Sequence, residues 1–336
     1  MTNRTKVLVT GATGFLGGRL ARRLVEEGYP VRALARKTSN VAALMNLGVE
    51  IAFGDLGDEQ SVVAAVNGVD VVVHAGAATS GTAKDFEITT VQGTRNVLDA
   101  CRANRVRKLV YISSCNVYEI AGYAENQIVT EGAQLERFPQ RRGRYTAAKL
   151  QAEALVTAAM NHDGFPAVVL RPGTIYGSGA HVYTNMMGVS LARRIFVVFG
   201  SGRMVLPLVH VENAVDTIVE CIRNRAANNQ VFNVVDQDPV TKKTYMERVI
   251  KLLYPNAIVI YVPMSLLLAV TWLQEKLLAI LGRPPLLTVY RLVSSQKRVS
   301  YSTSKIVKAI GWYSRIKFEQ GVEQLIRDYG RSAAPK

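Results

Sequence analysis

Cysteine is scarce in this chain of 336 residues: Cys101, Cys115 and Cys221 make an odd count with no C-x-x-C spacing. That speaks against a disulfide framework or a zinc site and for a reducing, cytoplasmic setting. Histidine is as sparse. His74, His162, His181 and His210 lack the spacing of metal ligands, so no metal is expected. No apolar run reaches the about 20 residues that a membrane span requires. The longest, from Pro263 to Leu281, is interrupted by Glu275 and Lys276. The N-terminus runs from Met1 to Lys6 straight into an apolar strand, without the longer apolar core of a secretory signal. No Pro/Ser-rich linker, low-complexity tract or internal repeat divides the chain.

Acidic residues are also in short supply. Lys and Arg number 41 against 26 Asp and Glu, a formal charge of +15 with a pI near 9.8. Residues 261–336 alone carry 12 basic against 4 acidic residues. No zinc-finger, homeodomain or RNP pattern accompanies the excess, so no nucleic-acid partner is expected. A phosphate-bearing ligand, an anionic membrane surface or a solvated face would each account for it. With 49% hydrophobic and 20% charged residues, the composition is that of an ordinary globular chain able to bury a large core.

What is present is alternation. Near-continuous apolar runs at Lys6–Thr10, Val31–Ala35, Glu50–Gly54, Val69–Ala75, Lys108–Ser113, Ala167–Arg171 and Gln230–Val235 read as strands covered on both faces. Amphipathic segments at Gly18–Glu27, Glu59–Val66, Thr94–Ala103 and Thr146–Asn161 lie between them. This predicts an α/β fold: a doubly wound parallel (Rossmann) sheet with a smaller, mostly C-terminal substrate lobe. Residues 1–175 are read as the dinucleotide-binding core, with 207–235 returning to it. Residues 176–206 and 236–330 are read as the lobe.

Thr10-Gly11-Ala12-Thr13-Gly14-Phe15-Leu16-Gly17 follows the first strand and opens a helix. Gly11 permits a sharp turn, Gly14 lets backbone amides approach a pyrophosphate, and Gly17 lets helix and strand pack closely. The positive helix end then faces the phosphates. The second strand ends at Ala35-Arg36-Lys37, where a site preferring NAD usually offers a carboxylate to the ribose. The cationic pair suits a 2′-phosphate and favours NADP over NAD. Asp55, after the third strand, is placed either to accept from the adenine amino group or to cap the next helix.

Tyr145-Thr146-Ala147-Ala148-Lys149 puts a phenol and an ammonium at i and i+4 on one helix face. The ammonium is expected to lower the phenol pKa and make it a usable acid/base. Ser114 ends the fifth strand at the carboxyl edge of the sheet, where it holds a substrate oxygen or caps a turn.

In order along the chain stand Thr10–Gly17, Gly54-Asp55-Leu56, His74-Ala75-Gly76-Ala77-Ala78, Tyr111–Ser114, Tyr145–Lys149 and Arg171-Pro172-Gly173-Thr174-Ile175-Tyr176-Gly177. Pro207–Ala214, Gly311-Trp312 and Phe318–Val322 continue the set. The chain resembles an extended short-chain dehydrogenase/reductase, of the group holding NAD-dependent epimerases/dehydratases and 3β-hydroxysteroid-dehydrogenase-like enzymes. The resemblance spans essentially the whole chain. It implies that Tyr145 is the acid/base, that Lys149 assists it and binds ribose, and that Ser114 orients substrate. It implies cofactor contacts from Gly11, Thr13, Gly14, Phe15, Leu16, Gly17, Arg36, Lys37, Asp55, Leu56, Ala75, Gly76 and Ala77. Tyr145 and Lys149 also touch cofactor in this reading, and Pro172 and Gly173 lie near the nicotinamide. A homodimer is implied as well. The chain departs from the family's habit at Thr90, where an Asn often precedes Val-x-Gly-Thr.

Two features bear on the substrate. Arg141-Arg142-Gly143-Arg144 stands just before Tyr145, and Arg193, Arg194 and Arg203 fall in the lobe; all read as phosphate ligands or solvated charges. The apolar segment from Pro263 reads as a lid packed on the cleft, with a peripheral membrane contact through residues 263–308 as the alternative. Together these predict an NAD(P)-dependent oxidoreductase moving a hydride between nicotinamide and a secondary alcohol or ketone carbon. Its small-molecule substrate would be anionic, lipid-like or sugar-containing. A redox-neutral sugar epimerase/dehydratase is the alternative, and a cofactor-sensing binding protein without turnover the distant third.

Overall fold

Alternate side chains of the first strand, β1 (Val7–Thr10), enter opposite cores: Val7 and Val9 one, Leu8 the other. All are fully buried, which is why the strand reads as a continuous apolar run. The computed structural model describes residues 5–333. Six further strands join β1: β2 (Val31–Ala35), β3 (Glu50–Phe53), β4 (Val71–His74), β5 (Lys108–Ile112), β6 (Ala167–Pro172) and β7 (Gln230–Val234). They form one seven-stranded parallel sheet in the order β3-β2-β1-β4-β5-β6-β7. Order reverses between β1 and β4, and a crevice at such a switch point is where open α/β sheets bind ligands. The Rossmann sheet expected from the sequence is therefore present, its strand ends differing by at most two residues.

Helices α1 (Phe15–Glu26) and α5 (Val211–Arg223) cover the face of Val7 and Val9 with Leu20, Leu24, Val215 and Ile218. Helices α2 (Glu59–Val66), α3 (Gly93–Ala103) and α4 (Arg144–His162) cover the face of Leu8 with Val62, Val97 and Val156. Each fully buried Val or Leu contributes about 1.5–3 kcal/mol. Helix α1 begins three residues earlier than its apolar periodicity suggests, because Gly14 ends the turn in extended backbone and needs no side-chain cap.

A second core gathers Tyr176, Met187, Phe196, Leu206, Tyr245 and Phe318 from beyond β6. Ile195–Phe199 runs parallel to Ile258–Val262 and antiparallel to Gly188–Leu191 in a small sheet beside it. Ile306 and Trp312, far along the chain, return to the core shared by β1 and α1.

Helix α6 (Met264–Ile280) holds most of the longest apolar run, and it is not a buried lid. Thr271 is its one buried residue. Leu266, Val270, Leu273, Leu277 and Ile280 are exposed at helical spacing, Ile280 to 81%. Only the connection to α7 (Val289–Gln296), through Leu286 and Leu287, reaches the cleft described below. No helix among the described residues is long and apolar enough to cross a membrane.

Candidate active site

The carboxyl end of β5 and the start of α4 meet over the sheet. Beyond β5, Ser114 accepts from the Asn116 amide at 3.1 Å and so caps the short turn Cys115–Val117. Gly143, at φ +120°, breaks the backbone between Pro139–Arg142 and α4. That break sets Tyr145 in the first turn of α4. One turn on, Lys149 donates from Nζ to the Ile112 carbonyl at 2.7 Å and lies 5.1 Å from the Tyr111 ring centre. Tyr145 opens onto a cleft of about 780 Å³, lined also by Asn116, Arg142, Leu286, Leu287 and Arg291.

Burial governs the protonation states. It raises the Tyr145 phenol, and hydrogen bonding with Ser114 draws it part of the way back. It lowers Lys149 to about 8, with Glu153 opposing. The i, i+4 pattern predicts that Lys149 pulls the phenol down; instead its ammonium is held by Ile112, and desolvation sets the phenol.

His74 ends β4, fully buried, with its pKa lowered to about 3 by burial and then by the field of Lys149. It is therefore neutral, and its tautomer follows from its neighbours. Thr94 donates to the Thr90 carbonyl at 2.6 Å, so it accepts from His74 Nε2 at 3.0 Å. His74 Nδ1 then accepts from Thr10 at 2.7 Å, and Thr10 Oγ1 accepts from the Gly76 amide at 3.1 Å. This chain stitches β1, β4 and α3 together at the switch point. Thr90, where the family often has Asn, is buried and accepts from the Ala78 amide at 3.0 Å. It holds the 75–78 loop.

The glycine turn forms the other wall. Gly11 has φ +71°, and a Cβ there would stand 2.8 Å from the Gly76 nitrogen. A Cβ on Gly17 would stand 2.2 Å from the Gly11 carbonyl oxygen. Ala75, Gly76 and Ala77 thus abut Gly11, with Leu56 against Gly76. Thr13 and Gly14 are exposed, Phe15 and Leu16 half-buried, and the first turn of α1 holds no acid, so its positive end is open to an anion. Arg36 and Lys37 are exposed just past β2. Asp55 Oδ1 accepts from the Gly57 amide at 2.9 Å, while the helix cap is Asp58. Pro172 and Gly173 end β6, Gly173 pressed against the Pro207 carbonyl. These groups fit a dinucleotide: a cradle free of Cβ atoms, an open helix end and basic groups at the second strand.

The structure does not bring Arg193 or Arg203 to this cleft; they line two separate cavities. It does reveal what the sequence left unmarked. Glu153, buried one turn past Lys149, accepts from Arg171 Nη2 at 2.5 Å and from the Ser113 hydroxyl. Arg171 also donates to Tyr118 at 2.7 Å, whose hydroxyl reaches Asn233 at 2.5 Å. This network fixes β5, β6, β7 and α4 beneath the site. The i+4 spacing of Glu153 from Lys149 was its only trace in the sequence. His210, buried at the start of α5, accepts from the Glu212 amide at 3.4 Å and packs edge-on against Tyr176.

Residues 7–234 match the NAD dependent epimerase/dehydratase family. Over 95% of both chains the protein is 29% identical to a 4-hydroxy-2-methyl-3-oxo-4-farnesyl-3,4-dihydroquinoline-1-oxide ketoreductase of Stigmatella aurantiaca. Over 62% of each it is 36% identical to a 2-alkyl-3-oxoalkanoate reductase of Stenotrophomonas maltophilia. The fold is similar to that of the UDP-glucose 4-epimerase of Thermotoga maritima, with a TM-score of 0.75 and 19% identity over 98% of this chain and 99% of that one. The chain belongs to the NAD dependent epimerase/dehydratase family and is an oxidoreductase of hydroxyl and keto carbons.

Proposed function

We propose that the protein is an NADPH-dependent reductase of a keto group on an amphiphilic, anionic small molecule. The observation that carries this is the Tyr145 cleft: a phenol that burial keeps protonated, facing a cavity with apolar and guanidinium walls. A bound nicotinamide supplies the hydride. Ser114 and Tyr145 hold the substrate carbonyl oxygen, and Tyr145 passes its proton to that oxygen as carbon takes the hydride. Lys149 orients the ribose and supports the phenolate left behind. A phenol held in its acid form suits this direction, whereas alcohol oxidation needs the phenolate and should climb with pH. Arg36 and Lys37 support NADPH over NADH, because they offer two cations where a 2′-phosphate sits and the neighbouring Ala35 carries no charge. The ketoreductase and oxoalkanoate reductase among its relatives support the same direction.

The test is reduction of long-chain ketones by purified protein with NADPH and with NADH. Tyr145→Phe should remove turnover while leaving NADPH affinity within a few-fold. Tightly bound NAD, with interconversion of sugar epimers and no net reduction, would replace this reading with the epimerase.

The exposed stripe of α6, beside Lys276 and Arg283, supports a peripheral contact with an anionic lipid surface in a cytoplasmic protein. Sedimentation with phosphatidylglycerol vesicles, lost in Leu273→Glu, is the expected result. A homodimer that Leu273→Glu dissociates, with no vesicle binding, would assign the stripe to a second copy instead.

A further inference from the structure

Arg142 is buried without a full set of partners. Its side chain is 7% exposed, and it stands between the Tyr145 cleft and a small cavity lined by Ser294, Ser295 and Tyr301. Nη1 has no hydrogen-bond partner among the described residues. The nearest carboxylate, Glu136, is 3.9 Å from Nε, too long for a hydrogen bond. Glu136 is itself engaged elsewhere: its Oε1 accepts from the Phe138 amide at 2.8 Å and from the Tyr290 hydroxyl at 2.5 Å. A guanidinium present only to balance Glu136 would close on it. This one keeps a donor unspent, which is unfavourable in a buried group unless something accepts from it.

We infer that Arg142 seats the acidic head, carboxylate or phosphate, of an apolar substrate whose reacting carbon lies at Tyr145. Arg144 and Arg291 add two guanidinium groups to the same cleft against the single carboxylate of Glu136, so the mouth attracts an anion. A planar guanidinium held by its surroundings binds an oxyanion more tightly and selectively than a mobile ammonium. Leu286 and Leu287, on the wall opposite in character, suit the apolar remainder.

The inference rests on the Tyr145 cleft being the substrate cleft, and its test reads binding, not turnover. With the enzyme saturated in NADP⁺, titration calorimetry compares 3-hydroxydodecanoate, its methyl ester and dodecyl phosphate. At least one acid should bind about tenfold or more tightly than the ester. Arg142→Gln should bring that acid to within about twofold of the ester and leave the ester unmoved. Arg142→Lys should weaken the acid several-fold, again without moving the ester. If Arg142→Gln does not fold, Arg142→Lys and the wild-type comparison decide. An ester binding as tightly as both acids, or an acid preference that survives Arg142→Gln, overturns the assignment. NADPH affinity and keto reduction are measured beside it. Their failure with the acid preference intact counts against the reductase and not against Arg142.

Discussion

Replacing Lys149 with methionine should make the protein more stable and inactive. The side chain is buried, and burial lowers its pKa from 10.5 to about 8. That displacement corresponds to about 3 kcal/mol by which the folded state disfavours the ammonium at neutral pH. Methionine has nearly the same length and no charge to desolvate. Against the gain stand the lost bond to Ile112 at 2.7 Å and the contact with the Tyr111 ring, together about 1–2 kcal/mol. A net gain of about 1–2 kcal/mol at pH 7 remains, or roughly 2–4 °C in melting temperature. The pH dependence gives the sharper signature. Between pH 8 and 10.5 the unfolded lysine stays protonated while the folded one has lost its proton, so wild-type stability rises with pH across that window. The advantage of methionine is therefore full below pH 8 and shrinks towards pH 10.5. Urea unfolding of both proteins from pH 7 to 10 measures it, and common titrations cancel in the difference. A variant less stable at pH 7, or a gap that stays constant with pH, would show that Lys149 carries no desolvation penalty. Reduction by the same variant should fall by orders of magnitude.

Arg36→Asp should weaken NADP by about 10- to 100-fold and leave NAD equal or tighter, since a carboxylate there repels a 2′-phosphate and accepts from a ribose diol. An unchanged ratio of the two dissociation constants would remove Arg36 from the cofactor site. Gly17→Ala should destabilise the fold by about 1–3 kcal/mol and weaken dinucleotide binding, because the new methyl must displace α1 from the turn holding Gly11. Wild-type melting and cofactor affinity in that variant would refute the close packing.

Much of this fold was legible because both faces of its sheet are covered. A strand such as Val71–His74 must then be apolar at nearly every position, and a short apolar run bounded by polar residues marks it in the sequence. The glycine turn was legible for a related reason: its conformation and its closeness to the 75–77 loop leave no room for a side chain. Helix α6 was not. A run of 17 mostly apolar residues looks the same whether it fills a core or lies bare, and only the surrounding elements show which side is left uncovered. The polar layer under the site was hidden for the opposite reason. Glu153, Arg171 and Ser113 are individually ordinary, and their partnership exists only because α4 crosses β5 and β6 at one height.

The arginines before Tyr145 show why a basic excess cannot be interpreted as a sum. Arg141, Arg142 and Arg144 are chemically identical and nearly adjacent, yet the fold gives them three different environments. Arg141 lies 5.1 Å from the Phe138 ring centre and 6.0 Å from that of Tyr290, on the outside. Arg144 is exposed and reaches the Gly81 carbonyl at 3.3 Å. Arg142 is turned inward by the break at Gly143 and loses its solvent. Water screens the first two, so their contribution to any ligand falls steeply with salt. The third keeps its charge in a medium of low dielectric, where one oxyanion matters more than the field of the other two. Raising ionic strength should therefore slow capture of an acidic substrate far more than it loosens the bound complex. Stopped-flow association and dissociation rates between about 0.05 and 0.5 M salt, roughly a threefold change in Debye length, separate the two effects. A dissociation rate that rises as steeply as the association rate falls would mean that the acid is held by the exposed pair and not by Arg142.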